Sequence, residues 1–338
     1  MRVAVLGATG FLGRRAAAAL EADGIEVARV SRRGPVRVDL RDATTFEALS
    51  DCEVVLDLAN ATAACPEALA AWCVAEGKLF VEATSDAPVV EGMASRLAGR
   101  GPGLVVLGAG IFTGVSNLMA RRVAEAVPGA RRLSWAVASS PYSAAGTGTI
   151  ELMVSASALP ALRYEAGVPV ESRLERGPLV AFEAGPLPTL RLRLAEASML
   201  RASTGVPDVE VLFAPLPSLL VPAFALTPAP LFGAPWFGVL MRAAFIVLRR
   251  GLLSWRATTV RMVAEAESSA ARRRILVRAQ DGMQAAAFGA AAITGLLARA
   301  RPGRSGVCFV DDVLVLDAVV REAERLAGRP VFEVQGPS

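Results

Sequence analysis

The segment that most constrains this chain is its first thirteen residues. The apolar run Val3-Ala4-Val5-Leu6 leads directly into Gly7-Ala8-Thr9-Gly10-Phe11-Leu12-Gly13. That order predicts a buried strand, a glycine turn and a helix beginning near Gly10. Such a turn aims helix N-terminal N–H groups at one point. The helix dipole adds positive potential there, so a pyrophosphate can sit without a charged side chain. Gly7 permits the tight turn, Gly10 lets backbone approach phosphate, and Gly13 lets the helix pack closely on the strand. Thr9, Phe11 and Leu12 complete the candidate phosphate cradle. The alternative is a tight turn that holds no ligand.

The pattern continues. Strands are predicted at 2–7, 26–31, 36–39, 53–58, 79–83 and 103–108, with helices at 11–23, 43–49, 65–76 and 88–99. Strands alternating with helices imply a parallel sheet covered on both faces. Further on come a strand at 133–139, a helix at 149–159, a strand–turn–strand over 162–171, and strands near 179–183, 189–194, 257–266 and 274–280. Helices at 283–299 and 316–327 are expected to return to the first domain. The predicted fold is α/β: a Rossmann-type parallel sheet domain with a second α+β domain on a mainly antiparallel sheet. Residues 1–128, completed by 281–338, form the first, and 129–280 form a substrate and dimerisation domain.

The end of the second strand addresses the ribose. Sites that bind the 2′-hydroxyl place Asp or Glu about 20 residues beyond the glycines. Here Val27-Ala28-Arg29-Val30 runs into Ser31-Arg32-Arg33, with no carboxylate. A hydroxyl and guanidinium groups suit a 2′-phosphate. NADP(H) is therefore expected over NAD(H), the alternative being a solvated basic loop. Asp39, ending the third strand, falls near the expected adenine or else caps a helix. Ala59 and Asn60 follow the fourth strand, where a loop can touch ribose or pyrophosphate.

Two absences limit the chemistry. The chain has no histidine, which removes Ser-His-Asp and Cys-His catalysis and most catalytic zinc sites. Its one lysine, Lys78, lies in a turn before a strand and is a poor Schiff-base candidate. Acid–base work falls to carboxylates, tyrosines, hydroxyls, thiols or water. Tyr142, in Ser139-Ser140-Pro141-Tyr142-Ser143, is the best candidate for a proton donor or substrate hydrogen bond; a core or surface tyrosine is the alternative. Thr147 and Glu151, at the entry to the next helix, could orient substrate or could serve that helix's N-terminus. Cys52, Cys65, Cys73 and Cys308 show no metal-ligand spacing and read as reduced thiols, with no metal expected.

Hydrophobic residues at 53% against 20% charged argue for a sizeable core and against disorder. Met1-Arg2 enters the first strand at once, which leaves no room for a signal or transit sequence and sets a cytoplasmic expectation. The net charge of +4 is carried by scattered arginine clusters, which read as solvated faces and not as a nucleic-acid surface.

From Val211 to Met241 no residue is charged, and Pro215, Pro217, Pro222, Pro228, Pro230 and Pro235 interrupt the run. A spanning helix tolerates few such breaks. Three readings remain for 211–248, with a helix at Trp236–Leu248: a homodimer interface, a lid over an apolar substrate, or a membrane-surface patch. The interface is the first expectation.

Several islands together resemble the saccharopine dehydrogenase-like oxidoreductases. They are Gly7–Gly13, Glu82-Ala83-Thr84-Ser85-Asp86, Gly108–Asn117 with Thr113 in place of the usual proline, Gly146-Thr147-Gly148-Thr149, Gly205-Val206-Pro207-Asp208-Val209-Glu210, and Asp281-Gly282-Met283. The resemblance implies a pyridine-nucleotide oxidoreductase fold with a discontinuous first domain, and Thr84 beside the nucleotide. Short-chain dehydrogenases share the first glycine motif but need Tyr-x-x-x-Lys. Here Tyr142 is followed four residues later by Gly146, and Tyr164 by Val168. The expectation is an NADPH-dependent reductase of a C=N, C=O or activated C=C bond in a small organic substrate. The alternative is a non-catalytic NADP(H)-binding regulatory or lipid-surface-associated protein.

Overall fold

The computed structural model describes residues 1–338 except 60, 62–63, 141–146, 229–230, 233, 251–257 and 338, and for 147–150, 235, 245 and 248–250 the backbone alone. Its helices are α1 (Phe11–Ala22), α2 (Glu67–Ala75), α3 (Ala87–Arg96), α4 (Ser116–Glu125), α5 (Thr147–Ala158), α6 (Glu196–Thr204), α7 (Leu220–Leu226), α8 (Pro235–Arg250), α9 (Gly282–Arg299) and α10 (Leu316–Ala327). Contacts divide the chain into Met1–Leu118 with Met283–Val331, and Met119–Gly282 with Phe332–Ser338.

The first unit holds β1 (Arg2–Leu6), β2 (Glu26–Ser31), β3 (Val36–Arg37), β4 (Val54–Asp57), β5 (Leu79–Glu82), β6 (Leu104–Leu107) and, from the far end of the chain, β17 (Gly306–Phe309). They form a seven-stranded sheet in the order β17-β6-β5-β4-β1-β2-β3. Every pairing is parallel. Chain order reverses between β1 and β4, the switch point beside which open α/β sheets bind ligands. Val3–Leu6, Leu79–Val81 and Leu104–Leu107 are all buried. Strands covered on both faces read as continuous apolar runs, which is why the sequence located them closely. Asp23, which caps α1, pairs with Arg299 of α9 and Arg325 of α10, and Glu322 answers the same two arginines.

Lys78 is buried rather than idle. Its Nζ donates to Ser50 O at 2.7 Å and Cys52 O at 2.9 Å and lies 5.3 Å from the Trp72 ring centre. It ties the turn before β4 to the start of β5.

The second unit holds β7 (Arg132–Ser139), β8 (Ala161–Glu165), β9 (Val168–Ser172), β10 (Glu175–Arg176), β11 (Val180–Phe182), β12 (Gly185–Leu187), β13 (Leu190–Arg191), β14 (Asp208–Pro215), β15 (Val260–Glu267), β16 (Arg272–Ala279) and β18 (Glu333–Gln335). The main sheet runs β10-β13-β14-β7-β15-β16-β18, with the β8–β9 hairpin on β14. It is antiparallel except for β14 with β7. Ala136, Ala138, Phe182, Leu212, Ala214 and Val263 form part of its core.

Two corrections follow. The uncharged stretch from Val211 is not one surface element, because Val211–Pro215 finish β14, a central buried strand. With neighbours on both sides, that strand shows no polar alternation, and its apolar run merged in the sequence with the exposed segment beyond it. The end of the chain is also divided: α9, β17 and α10 lie in the first unit, whereas β18 pairs with β16 of the second sheet. Among the described residues, no helix is long and apolar enough to cross a membrane.

Candidate functional site

The loops at the carboxyl ends of β1, β2, β4, β5 and β6 belong to one unit and define one edge of its sheet. Gly7 leaves β1 at φ +71°, a left-handed conformation suited to glycine. A Cβ on Gly7 would lie 2.8 Å from Leu58 O, and one on Gly13 only 2.2 Å from Gly7 O. Neither position has room for a side chain. Gly10 is the extended N-cap of α1, donates its own N–H to Gly7 O at 2.8 Å, and provides no side-chain cap. The first turn of α1 therefore has no side chain competing for its N–H groups. Thr9 and Gly10 are exposed, Phe11 and Leu12 half-buried. The Arg15 guanidinium lies 3.7 Å over the Phe11 ring. This cradle fits an anion approaching closely along backbone.

Ala8 N–H donates to Val30 O at 3.3 Å, so the turn is tied to the end of β2. There Ser31 is half-buried, and its Oγ accepts the Arg33 N–H at 3.4 Å. Arg32 and Arg33 are exposed, whereas Arg29 is held by two bonds to Glu21 on α1. Asp39 Oδ1 accepts the Arg41 N–H at 3.0 Å, a local turn. The capping role falls to Asp42, which accepts from Thr44 N.

The strongest electrostatic feature lies behind the cradle. Asp57 and Glu82 end β4 and β5 and face each other in register. Both are 1% exposed. Asp57 Oδ1 accepts the Ala59 N–H at 2.8 Å, and Glu82 Oε1 accepts the Thr84 N–H at 2.7 Å. The two carboxyls hydrogen-bond to each other. Burial pushes Asp57 up to about 6, against the pull of the Ala59 N–H and of Glu82. Burial first, and then the charge of Asp57, hold Glu82 well above its ordinary value. Two carboxyls in contact cannot both ionise easily, so Glu82 keeps the proton and donates it to Asp57. Among the described residues Glu82 Oε2 is buried and accepts no hydrogen bond, as suits a protonated oxygen. The pair thus fixes the loops after β4 and β5.

Thr84 is held by Glu82, and its Oγ1 accepts the Asp86 N–H at 3.2 Å. Thr113, buried in the loop after β6, reaches across to donate from Oγ1 to Thr84 O at 3.2 Å. Its backbone is left-handed, at φ 60° and ψ −11°. Proline, locked near −65°, cannot occupy that conformation. The replacement noted in the sequence therefore comes with a different backbone at that point.

Of the residues expected at the nucleotide, the structure brings Gly7, Thr9, Gly10, Phe11, Leu12 and Gly13 together with Ala59, because Leu58 O lies against Gly7. Ser31 joins them through the Ala8–Val30 bond. Thr84 lies in the loop after β5. Asn60 and Tyr142 lie outside the described residues, as does the Thr147 side chain. Glu151, on α5 of the second unit, pairs with Arg242 of α8 at 3.2 Å. Sequence reasoning missed Asp57, and missed Glu82 as its partner. The available signal was a carboxylate closing each of two neighbouring all-apolar strands.

Residues 3–71, from β1 into α2, match the NAD dependent epimerase/dehydratase family. No curated protein matches the chain significantly. Among solved structures, the apo histidine-tagged saccharopine dehydrogenase (L-Glu forming) from Saccharomyces cerevisiae aligns over 100% of this chain and 99% of its own, with a TM-score of 0.63 and 12% identity. The chain has a saccharopine dehydrogenase-like fold. The C. glutamicum DAP dehydrogenase in complex with DAP aligns over 98% of this chain and 99% of its own, at TM-score 0.50 and 11% identity. At such identities the likeness is one of fold. The saccharopine dehydrogenase-like fold agrees with the resemblance read from the sequence islands and places a dinucleotide-type glycine turn at the switch point of its parallel sheet.

Proposed function

We propose that the protein is an NADPH-dependent oxidoreductase of the saccharopine dehydrogenase-like type, reducing a C=N, C=O or activated C=C bond of a small organic substrate. The observation that carries this reading is the edge formed by the Gly7–Gly13 cradle and the carboxylate-free end of β2. The dehydrogenase identity of two fold neighbours supports it. The α1 N-terminus would hold the pyrophosphate. Ser31, Arg32 and Arg33 would hold the 2′-phosphate, Asp39 would lie toward the adenine, and Ala59, Asn60 and Thr84 would line the ribose and nicotinamide side. When bound, the nucleotide supplies the hydride.

This chain's own residues bind and orient. Gly7 and Gly13 allow the backbone approach. Asp57 and Glu82 fix the two neighbouring loops, with the proton kept on Glu82. Tyr142 is the proposed proton donor, with Thr147 orienting substrate. Glu151 is engaged by Arg242 and serves α5 and α8 first. The test is nicotinamide oxidation by protein and NADPH with imine, carbonyl and activated alkene substrates. Turnover with one class, reduced in Tyr142→Phe, is expected. NADPH binding without turnover on any class would favour a non-catalytic NADP(H)-binding protein.

A further inference from the structure

Strand β3 delivers a further group to the basic end of β2. Because β2 and β3 pair in parallel, Ser31 and Arg37 are register partners. Partners on neighbouring strands lie about 5 Å apart and present their side chains on one face of the sheet. Arg37 is exposed on the edge strand, and Ser31 beside it is half-buried. The turn between them leaves that face open. A Cβ on Gly34 would lie 2.7 Å from Ser31 Oγ, so the glycine keeps the hydroxyl uncrowded. The Arg33 N–H donates to the same oxygen at 3.4 Å, and the Ser31 O–H remains a donor.

Charge sets Arg37 apart from other arginines of this sheet. Arg2 pairs with Glu26 and Asp51, and Arg29 pairs with Glu21. Among the described residues, no ion pair or side-chain hydrogen bond engages the guanidinium of Arg32, Arg33 or Arg37. The one acid between Val27 and Leu40 is Asp39, and its Oδ1 accepts the Arg41 N–H at 3.0 Å in a local turn. Three guanidiniums and a hydroxyl therefore gather at the end of β2 with no carboxylate to answer them. A phosphomonoester carries close to two negative charges at neutral pH and three acceptor oxygens, which calls for more than one guanidinium. A ribose hydroxyl calls for none. Arg32 and Arg33 sit in a turn, whereas Arg37 stands on a paired strand, and a group held on a strand is positioned more precisely than one on a loop.

We infer that Arg37 is a specificity-determining residue: with Ser31 it seats the 2′-phosphate of the dinucleotide from the β3 side. The inference rests on the NADPH reading above and adds a residue to it. The test is calorimetric titration of the full chain with NADPH, NADH and 2′,5′-ADP, the last carrying the 2′-phosphate without a nicotinamide. Arg37→Ala is expected to weaken NADPH and 2′,5′-ADP by about tenfold or more, to leave NADH within about twofold, and to melt like the wild type. Arg37→Lys should recover part of the loss, since it restores the charge without the planar fork. If Arg37→Ala does not fold, Arg37→Lys carries the test, with weaker 2′,5′-ADP binding and unchanged NADH. Arg100→Ala removes the same charge ahead of β6, at the opposite edge of the sheet, and should change neither nucleotide. A wild type that prefers NADPH, with that preference intact in both Arg37 variants, overturns the inference and leaves the NADPH reading standing. So does a loss shared equally by NADPH and NADH, or one that Arg100→Ala reproduces. Equal wild-type affinities for the two nucleotides overturn the NADPH reading and the inference with it.

Discussion

Asp57 and Glu82 meet at the carboxyl ends of two neighbouring parallel strands, with the proton on Glu82, and each carboxyl also holds the N–H two residues further along its own chain. The arrangement makes pH a structural variable. The folded state holds protons that the unfolded chain releases near 3.8 for Asp57 and 4.5 for Glu82. The contribution is therefore present at low pH and is lost as pH rises through about 6 for Asp57 and higher for Glu82.

Glu82→Gln removes the second titration while keeping a donor toward Asp57 and an acceptor for the Thr84 N–H. The variant's melting temperature relative to wild type should climb as pH rises from about 5 to about 8. The limiting slope is about 1.4 kcal/mol per pH unit in stability. Parallel melting profiles for the two proteins over that range would show that Glu82 is not the proton holder.

Gly13→Ala puts a Cβ 2.2 Å from Gly7 O. Backbone has to shift, which costs about 1–3 kcal/mol and moves α1 away from the phosphate position. Thermal melts and NADPH titration should both register the loss. Unchanged affinity would separate the turn from the nucleotide.

Thr113 tests the strained loop. Glycine accepts φ 60° freely, alanine pays about 1 kcal/mol there, and proline cannot adopt it. Denaturant unfolding should rank Thr113→Gly above Thr113→Ala and both above Thr113→Pro. A proline variant as stable as wild type would contradict the left-handed backbone.

Lys78→Met leaves Ser50 O and Cys52 O without their donor in a buried setting. Stability should fall by about 1–3 kcal/mol, with NADPH affinity unchanged in the folded protein. An affinity loss without a stability loss would give Lys78 a role in binding.

What was legible in the sequence was what local physics fixes. The turn Gly7–Gly13 needs its glycines for space, and the buried parallel strands need continuous apolar runs, so both could be read directly. The strand β14 could not, because its apolar residues run without a break into those of α7 and α8, and only pairing with β7 separates core from surface. The Asp57–Glu82 contact depends on the register of two strands more than twenty residues apart. Thr113 was visible as a departure from a family pattern, but its backbone conformation was not.

The central claim is that the turn after β1 and the basic end of β2 together hold a 2′-phosphorylated dinucleotide. Equilibrium titration of the wild type and Arg32→Asp with NADPH and with NADH measures it most directly. The wild type should bind NADPH at least about tenfold more tightly than NADH, a difference of about 1.4 kcal/mol, and Arg32→Asp should remove or invert that preference. Equal wild-type affinities for the two nucleotides, or a preference untouched by Arg32→Asp, would contradict the account.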